Sequence, residues 1–322
     1  MASLIKFLDL REKLKSNDFS VLCLFGNDGW LKKRAVEHVC AAYGIVDDGF
    51  SIDKLESPTV DDMTLACLTP SMFCEKRLIV CEDFAMPEGA NKQNDIKNKL
   101  TELVKHADGS FCLIVFTESD KIFNAIEGVE TVDCNHLDKN SAIKWIESYC
   151  KRRGVEIDRL CCDRIVTYCL NDMARIAVET QKLLDYGKID LDSINLLVHR
   201  DAEYVVYDLS GAIADKNAAR ALSIYRGLIA RGEDGRGLFN LLYNFYRRVY
   251  YVKTSDFSAD EVASYLGVKS GAISFAKETA QRYKPMQLKR ALDYFAVADD
   301  RLKAFMDENE VMNVLIMQLI SL

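Results

Sequence analysis

The residues best placed to do chemistry lie in "GNDGWLKKR", Gly26 to Arg34, directly after the apolar run "SVLCLF", Ser20 to Phe25. A phosphate-binding loop has the spacing G-x-x-x-x-G-K-[ST]. Its glycines let backbone N–H groups close on the phosphates, its lysine neutralises them and its hydroxyl ligates Mg2+. Here Gly26 and Lys32 fall in register, but Leu31 stands for the second glycine and Lys33 for the hydroxyl. Leu31 is expected to push a side chain into the phosphate space, Lys33 cannot coordinate a cation, and Asp28 adds negative charge beside the anion position. Gly26, Leu31, Lys32 and Lys33 are therefore expected to form a degenerate loop that does not bind Mg–ATP. The competing reading is a plain strand-to-helix turn with Lys32 to Arg34 on a solvated face, because short glycine loops are common.

A second chemical candidate is "LIVCED", an apolar strand ending in Glu82 and Asp83. In a nucleotide hydrolase such a strand carries the metal-binding and catalytic carboxylates. With no hydroxyl at position 33, a metal has lost its other protein anchor. Glu82 and Asp83 are read as strand-end polar residues, not catalysts. The eleven cysteines form no C-x-x-C pair, and most sit inside apolar runs such as "VLCLF" and "FCLIVF". The nearest metal-like pairing, Cys134 with His136, is too small a ligand set. These thiols read as small buried hydrophobes of a reduced protein, and neither metal nor cofactor is expected.

The elements that must position the loop follow from periodicity. Continuous apolar strands are expected at Ser20 to Phe25, Arg77 to Asp83 and Ser110 to Thr117, with a weaker one at Val129 to Asp133. Helical patterns lie between them at Leu31 to Tyr43, around Thr59 to Leu68, and at Asn94 to His106. Apolar strands alternating with helices imply a parallel sheet covered on both faces. After "NHLDKN" (Asn135 to Asn140) strand signals stop. Helices are expected at Ser141 to Val155, ending at Gly154, then at Asp158 to Leu170, Asp172 to Tyr186 (stopped by Gly187) and Asp190 to Leu197.

From Asp201 onward the pattern is helical throughout. Val205, Val206, Leu209 and Ile213 line one face; Leu238, Leu241, Leu242, Phe245, Val249 and Val252 line another. Ser258 with Glu261 forms a capping box, and Pro285 suits a first helical turn. The expected fold class is α/β plus all-α: residues 1–138 an α/β domain, 139–200 a small helical lid, and 201–322 a helical collar. This is the plan of an AAA+ ATPase with an added collar.

Composition narrows the function classes. Hydrophobic residues make up 49% and charged residues 28%, as in an ordinary globular protein. A net charge of −7 argues against coating nucleic acid with the whole surface, while leaving a local basic face open. "MASLIKFLDLREKLK" holds no signal-peptide core, and no apolar run approaches a membrane span, so a cytoplasmic protein with no membrane partner is expected.

Taken in order, "LFGNDGWLKKRAVEHV", "PSMFCEKRLIVCED", "FTESDK", "LDKNSAIKWIESYCKRRGVEI", "NDMARIAVETQKLLDYG" and "LDYFAVADDRLK" resemble the delta subunit of the bacterial DNA polymerase III clamp loader, over nearly the whole chain. That family is a divergent AAA+ branch without nucleotide hydrolysis. Its motor and stator relatives carry a four-cysteine zinc module and a serine-arginine-cysteine motif, both missing here. The resemblance implies an accessory subunit of the DNA-directed DNA polymerase (nucleotidyltransferase) holoenzyme, with no catalysis of its own. It implies binding to the sliding clamp and opening of its interface, with motor and stator subunits joined through the collar. The clamp-binding pair it implies is Met72 and Phe73 in "TPSMFCEKR", flanked by Pro70 and Ser71.

Two rivals compete with this reading. One is a functional AAA+ ATPase. The other is a helix-turn-helix DNA-binding regulator in "SADEVASYLGVKSGAISFAKETAQRY", Ser258 to Tyr283. Its recognition helix would open with Lys269, Ser270, Gly271, Ala272 and Ile273, poor in base-reading side chains. "LYNFYRRVYYVK" (Leu242 to Lys253) interleaves aromatics with Arg247, Arg248 and Lys253. It reads either as a nucleic-acid surface or as an amphipathic helix with Phe245 and Val249 inside. DNA contact within the assembled complex is left open. "CKRRG", Cys150 to Gly154, reads as a cation cluster at a helix C-terminus.

Overall fold

The computed structural model describes residues 4–16, 18–70, 74–85, 89–107, 109–199, 202–230, 232–268 and 270–322. Ser71, Met72 and Phe73 lie outside the described residues, as do Lys269 and both residues at the expected 200/201 boundary. The chain divides into two compact units, residues 1–148 and 149–322.

The first unit is built on a parallel sheet. Its elements in order are β1 (Leu4–Lys6), α1 (Phe7–Ser16), β2 (Val21–Phe25), α2 (Gly29–Tyr43), β3 (Ile52–Glu56), α3 (Val60–Leu68), β4 (Arg77–Glu82), α4 (Ala90–Lys105), β5 (Phe111–Thr117), a 3-10 turn (Phe123–Ala125) and β6 (Val129–Asp133). The strand order is β1-β6-β2-β5-β4-β3, and every neighbouring pair is parallel. All seven residues of β5 are buried, as a central strand covered on both faces requires. Val21, Cys23, Ile79, Cys81, Leu113 and Val115 form one core with Val60, Met63 and Cys67 of α3 and Leu100 and Leu103 of α4. The alternate residues Leu22, Leu24, Leu78 and Ile114 serve the opposite face, where α1 and α2 pack.

The four expected strands are present, with β1 and β3 added at the two edges. Neither has an apolar run: β1 is three residues long, and β3 reads IDKLE with no residue fully buried. Edge strands need only one paired side and a half-covered face, so they lack the continuous hydrophobic signal. The helix α1 also escapes the motif reading, although Phe7, Leu10 and Leu14 give it a buried face.

Helix α5 (Lys139–Arg152) carries the boundary between the units, Ser148/Tyr149. The second unit continues with α6 (Arg159–Tyr168), α7 (Met173–Tyr186) and α8 (Leu191–Leu197), which pack on one another. Asp158, Asp172 and Asp190 cap the three N-termini. Gly187 closes α7 in the left-handed region at φ 83°.

The remaining helices are α9 (Ala202–Ala214), α10 (Ala218–Ile229), α11 (Gly235–Thr254), α12 (Ala259–Leu266), α13 (Ser270–Ala280), α14 (Pro285–Lys303) and α15 (Glu308–Ile320). Val206, Leu209 and Ile213 share a core with Leu238, Leu242, Phe245 and Val249, as the two apolar faces predict. The Ser258–Glu261 capping box forms, and Pro285 opens α14.

In α11 the aromatics face inward. Tyr246 is fully buried, its hydroxyl 3.1 Å from that of Tyr283, and Tyr243 packs edge-on against Phe295. Arg248 is buried too, with Nε donating to the Asn244 carbonyl at 3.3 Å. The stretch is an amphipathic helix, with Phe245, Tyr246 and Val249 in the core and Tyr243, Arg247, Tyr250, Tyr251 and Lys253 half-buried. Helix α13, the recognition helix of the DNA-reader alternative, buries Ile273, Ala276 and Ala280 and packs on α9 and α11. Its Glu278 accepts a hydrogen bond from the Tyr207 hydroxyl at 2.8 Å.

Candidate functional site

The carboxyl ends of β2, β4 and β5 open on a cavity of about 730 Å3, lined by Gly26, Asn27, Gly29, Lys32 and Lys33 and by Glu82, Asp83, Glu118 and Ser119. In open parallel sheets ligands bind at this end of the strands.

Gly26 follows β2 at φ 125°, a region that side chains avoid. A Cβ there would lie 2.5 Å from the Asn135 nitrogen and 2.5 Å from the Cys134 carbonyl carbon. The glycine is therefore required by the chain leaving β6, which crosses directly over it. Two backbone bonds seal that crossing, Asp28 N–H to the Cys134 carbonyl (3.1 Å) and Cys134 N–H to the Phe25 carbonyl (2.8 Å), while the Gly26 N–H donates to the Thr117 carbonyl at the end of β5 (3.1 Å).

Asp28 caps α2. Its Oδ1 accepts from the Trp30 and Leu31 amides at 3.0 and 3.1 Å, and its Oδ2 lies 3.1 Å from His136 Nδ1. A helix N-terminus offers free N–H groups and a positive dipole end to an anion. Here the chain's own carboxylate, only 6% exposed, takes that place. The His136 amide also donates to Asn27 Oδ1 at 3.4 Å.

Lys32 holds the register of the phosphate lysine but is turned inward. Its Nζ donates to the Thr117 carbonyl at 2.9 Å and sits 5.8 Å from the Phe116 ring centre. Burial lowers its pKa. The solvated-face alternative for Lys32 is thus corrected, because its amine is turned onto the end of β5, at the Thr117 carbonyl and near the Phe116 ring. Lys33 is exposed and lines the cavity.

Leu31 is corrected in its role. It is fully buried and does not line the cavity, so its side chain does not occupy the phosphate space. Asp28 is not among the lining residues either; what it takes is the Trp30 and Leu31 amides, a capping role not read from the sequence. The signal was present: an Asp directly before Gly29 is an N-cap pattern once the helix is started at Gly29 instead of Leu31.

Glu82 ends β4, and Asp83 follows in the left-handed region at φ 53°. With Glu118 they put three carboxylates around the cavity, opposing a polyphosphate. Cys134 is fully buried, its thiol pushed up to about 12 by burial, while His136 turns to Asp28. That pair does not act as a joint ligand set. Among the described residues no group of three or more His, Cys, Asp or Glu could hold a metal ion, and no helix is long and apolar enough to cross a membrane.

Of the residues flanking the expected clamp-binding pair, Pro70 is described, and it is exposed. It follows α3, whose Thr59 and Asp62 form a full capping box. Arg77 Nη1 donates to the Thr69 carbonyl at 2.6 Å and its Nη2 pairs with Asp53. Arg77 thereby ties the end of α3 to β3 and β4.

Residues 22–144 match the family model described as DNA polymerase III, delta subunit, and residues 203–319 match that of the DNA polymerase III delta subunit, C-terminal domain. The DNA polymerase III subunit delta of Bacillus subtilis (strain 168) is 21% identical over 318 residues, which cover 92% of this chain and 91% of that protein. The solved structure of the Bacillus subtilis DNA clamp loader delta protein is similar in fold, with a TM-score of 0.78 at 17% identity over 98% of this chain and 100% of that one. The chain therefore belongs to the DNA polymerase III delta-subunit family, the clamp-loader subunits of DNA replication.

Proposed function

We propose that this subunit binds the sliding clamp and opens it for loading on DNA, without hydrolysing ATP itself. The observation that carries the non-hydrolytic half is the closed head of α2, where Asp28 takes the amides a phosphate would need. A nucleotide would have to displace a buried cap, pull Lys32 off the Thr117 carbonyl and sit among Glu82, Asp83 and Glu118. The clamp-gripping half rests on the family and on Met72 and Phe73. Burying each of these side chains is worth about 1.5–3 kcal/mol, so the pair supplies about 3–6 kcal/mol gross. Association alone costs at least about 4 kcal/mol, so further apolar contacts must surround the pair.

In this reading residues 1–138 carry the clamp-binding element and 139–200 form a lid. Residues 201–322 form the collar that joins motor and stator subunits, whose ATP cycle controls access to the clamp. The subunit works in the cytoplasm, and DNA contact belongs to the assembled complex. The packing of α13 against α9 and α11 disfavours the sequence-reading alternative.

Two measurements on the purified full chain test this together. The host's ring clamp should be retained on the immobilised subunit, and titration with Mg–ATP should give no saturable binding. Tight Mg–ATP binding that Lys32→Ala abolishes would restore the ATPase reading. Failure to retain the clamp would remove the clamp-opening one.

A further inference from the structure

The head of α2 is joined to α5 by the short strap of chain that runs from β6 into that helix. Three points fix the strap. Cys134 is bonded on both backbone sides, its N–H to the Phe25 carbonyl and its carbonyl to the Asp28 amide. His136 meets Asp28 through Nδ1 and Asn27 through its amide. Asp138 caps α5, its Oδ1 accepting from the Ser141 amide at 2.6 Å. Two turns further along α5, Trp145 comes back to the head of α2. It is 4% exposed and packs edge-on against Trp30, ring centres 5.4 Å apart at 81°. These are the chain's only two tryptophans.

An aspartate at a helix cap is ordinary. A cap uses one oxygen, however, and a buried carboxylate has to satisfy both. Oδ1 of Asp28 takes the Trp30 and Leu31 amides, while Oδ2 goes to an imidazole 108 residues further on. A carboxylate only accepts, so Nδ1 of His136 carries the proton, in the neutral ring as in the charged one. A neutral histidine can hold its proton on either nitrogen, and this pairing selects one tautomer.

We infer that Asp28 and His136 form a clasp that locks the first half of α5 to the head of α2, a conformational device supplied by the chain itself. The inference deepens the reading of the loop as closed to nucleotide, and it makes no use of the clamp. The internal carboxylate provides the anion that a phosphate would bring to a helix N-terminus, and the strap carries its hold to Trp145.

The test compares His136→Ala with His136→Asn in the full chain. Alanine removes the donor and leaves the cap of α2 in place; asparagine keeps an N–H where Nδ1 stands. Near-UV circular dichroism reads the tryptophan pair, with Trp30→Phe as its baseline, and hydrogen exchange reads the amides of residues 142–148. In His136→Ala the tryptophan signal should fall to the Trp30→Phe level, and exchange should quicken about tenfold or more. In His136→Asn both should stay near the parent. NMR of the parent, with the ring neutral, should show His136 as the Nδ1–H tautomer. An alanine variant indistinguishable from the parent overturns the clasp, as does an asparagine variant that fares no better than alanine. If alanine costs the fold, seen by far-UV dichroism, the tautomer decides: Nδ1–H upholds the clasp and Nε2–H overturns it. A change in the parent's exchange on adding Mg–ATP overturns the nucleotide-closed reading alone.

Discussion

Asp28 and Gly26 stand two residues apart and hold the loop by different means, which predicts different costs on mutation. Asp28→Ala removes a side-chain cap and should lower stability by about 0.5–2 kcal/mol. Gly26→Ala places a methyl against the backbone of Cys134 and Asn135 at a φ that alanine resists, and should cost about 2–3 kcal/mol or more. Urea unfolding of the two variants checks the order; a Gly26→Ala variant as stable as the parent would show that the crossing over Gly26 is not tight. The need for a glycine here was legible from the strand-to-helix position, but its cause was not. The chain that presses on Gly26 arrives from residues 134 and 135, and no local pattern links segments so far apart. Lys32 tells the same story: its register was legible, its inward turn onto the Thr117 carbonyl was not.

Among the elements, legibility followed burial. The strands β2, β4 and β5 are continuous apolar runs and could be read directly, β6 (VETVD) gave a weaker signal, and the edge strands β1 and β3 gave none. Among the helix caps, the Ser258–Glu261 box of α12 was read directly, whereas Asp28 at the head of α2 was not. The cap of α8 carries a pH prediction. Asp190 is held down to about 2 by its hydrogen bond to Lys188 and by the Ser193 amide and hydroxyl. A carboxylate whose folded pKa is depressed contributes stability above its unfolded value near 3.8, and loses it as pH falls through the folded value. Carboxyl NMR of the native chain should therefore show Asp190 still ionised at pH 3. A midpoint near 3.8 would mean that the cap and the Lys188 pair do not persist in solution.

For the whole molecule, the family places the chain in the clamp loader of DNA replication. The most direct measurement is the equilibrium affinity of the full chain for the ring-shaped clamp, parent against Met72→Ala/Phe73→Ala. Two apolar anchors at about 1.5 kcal/mol or more each predict a loss of at least about a hundredfold. A correctly folded double variant that binds the clamp as tightly as the parent would contradict the claim that this subunit grips the ring through that pair.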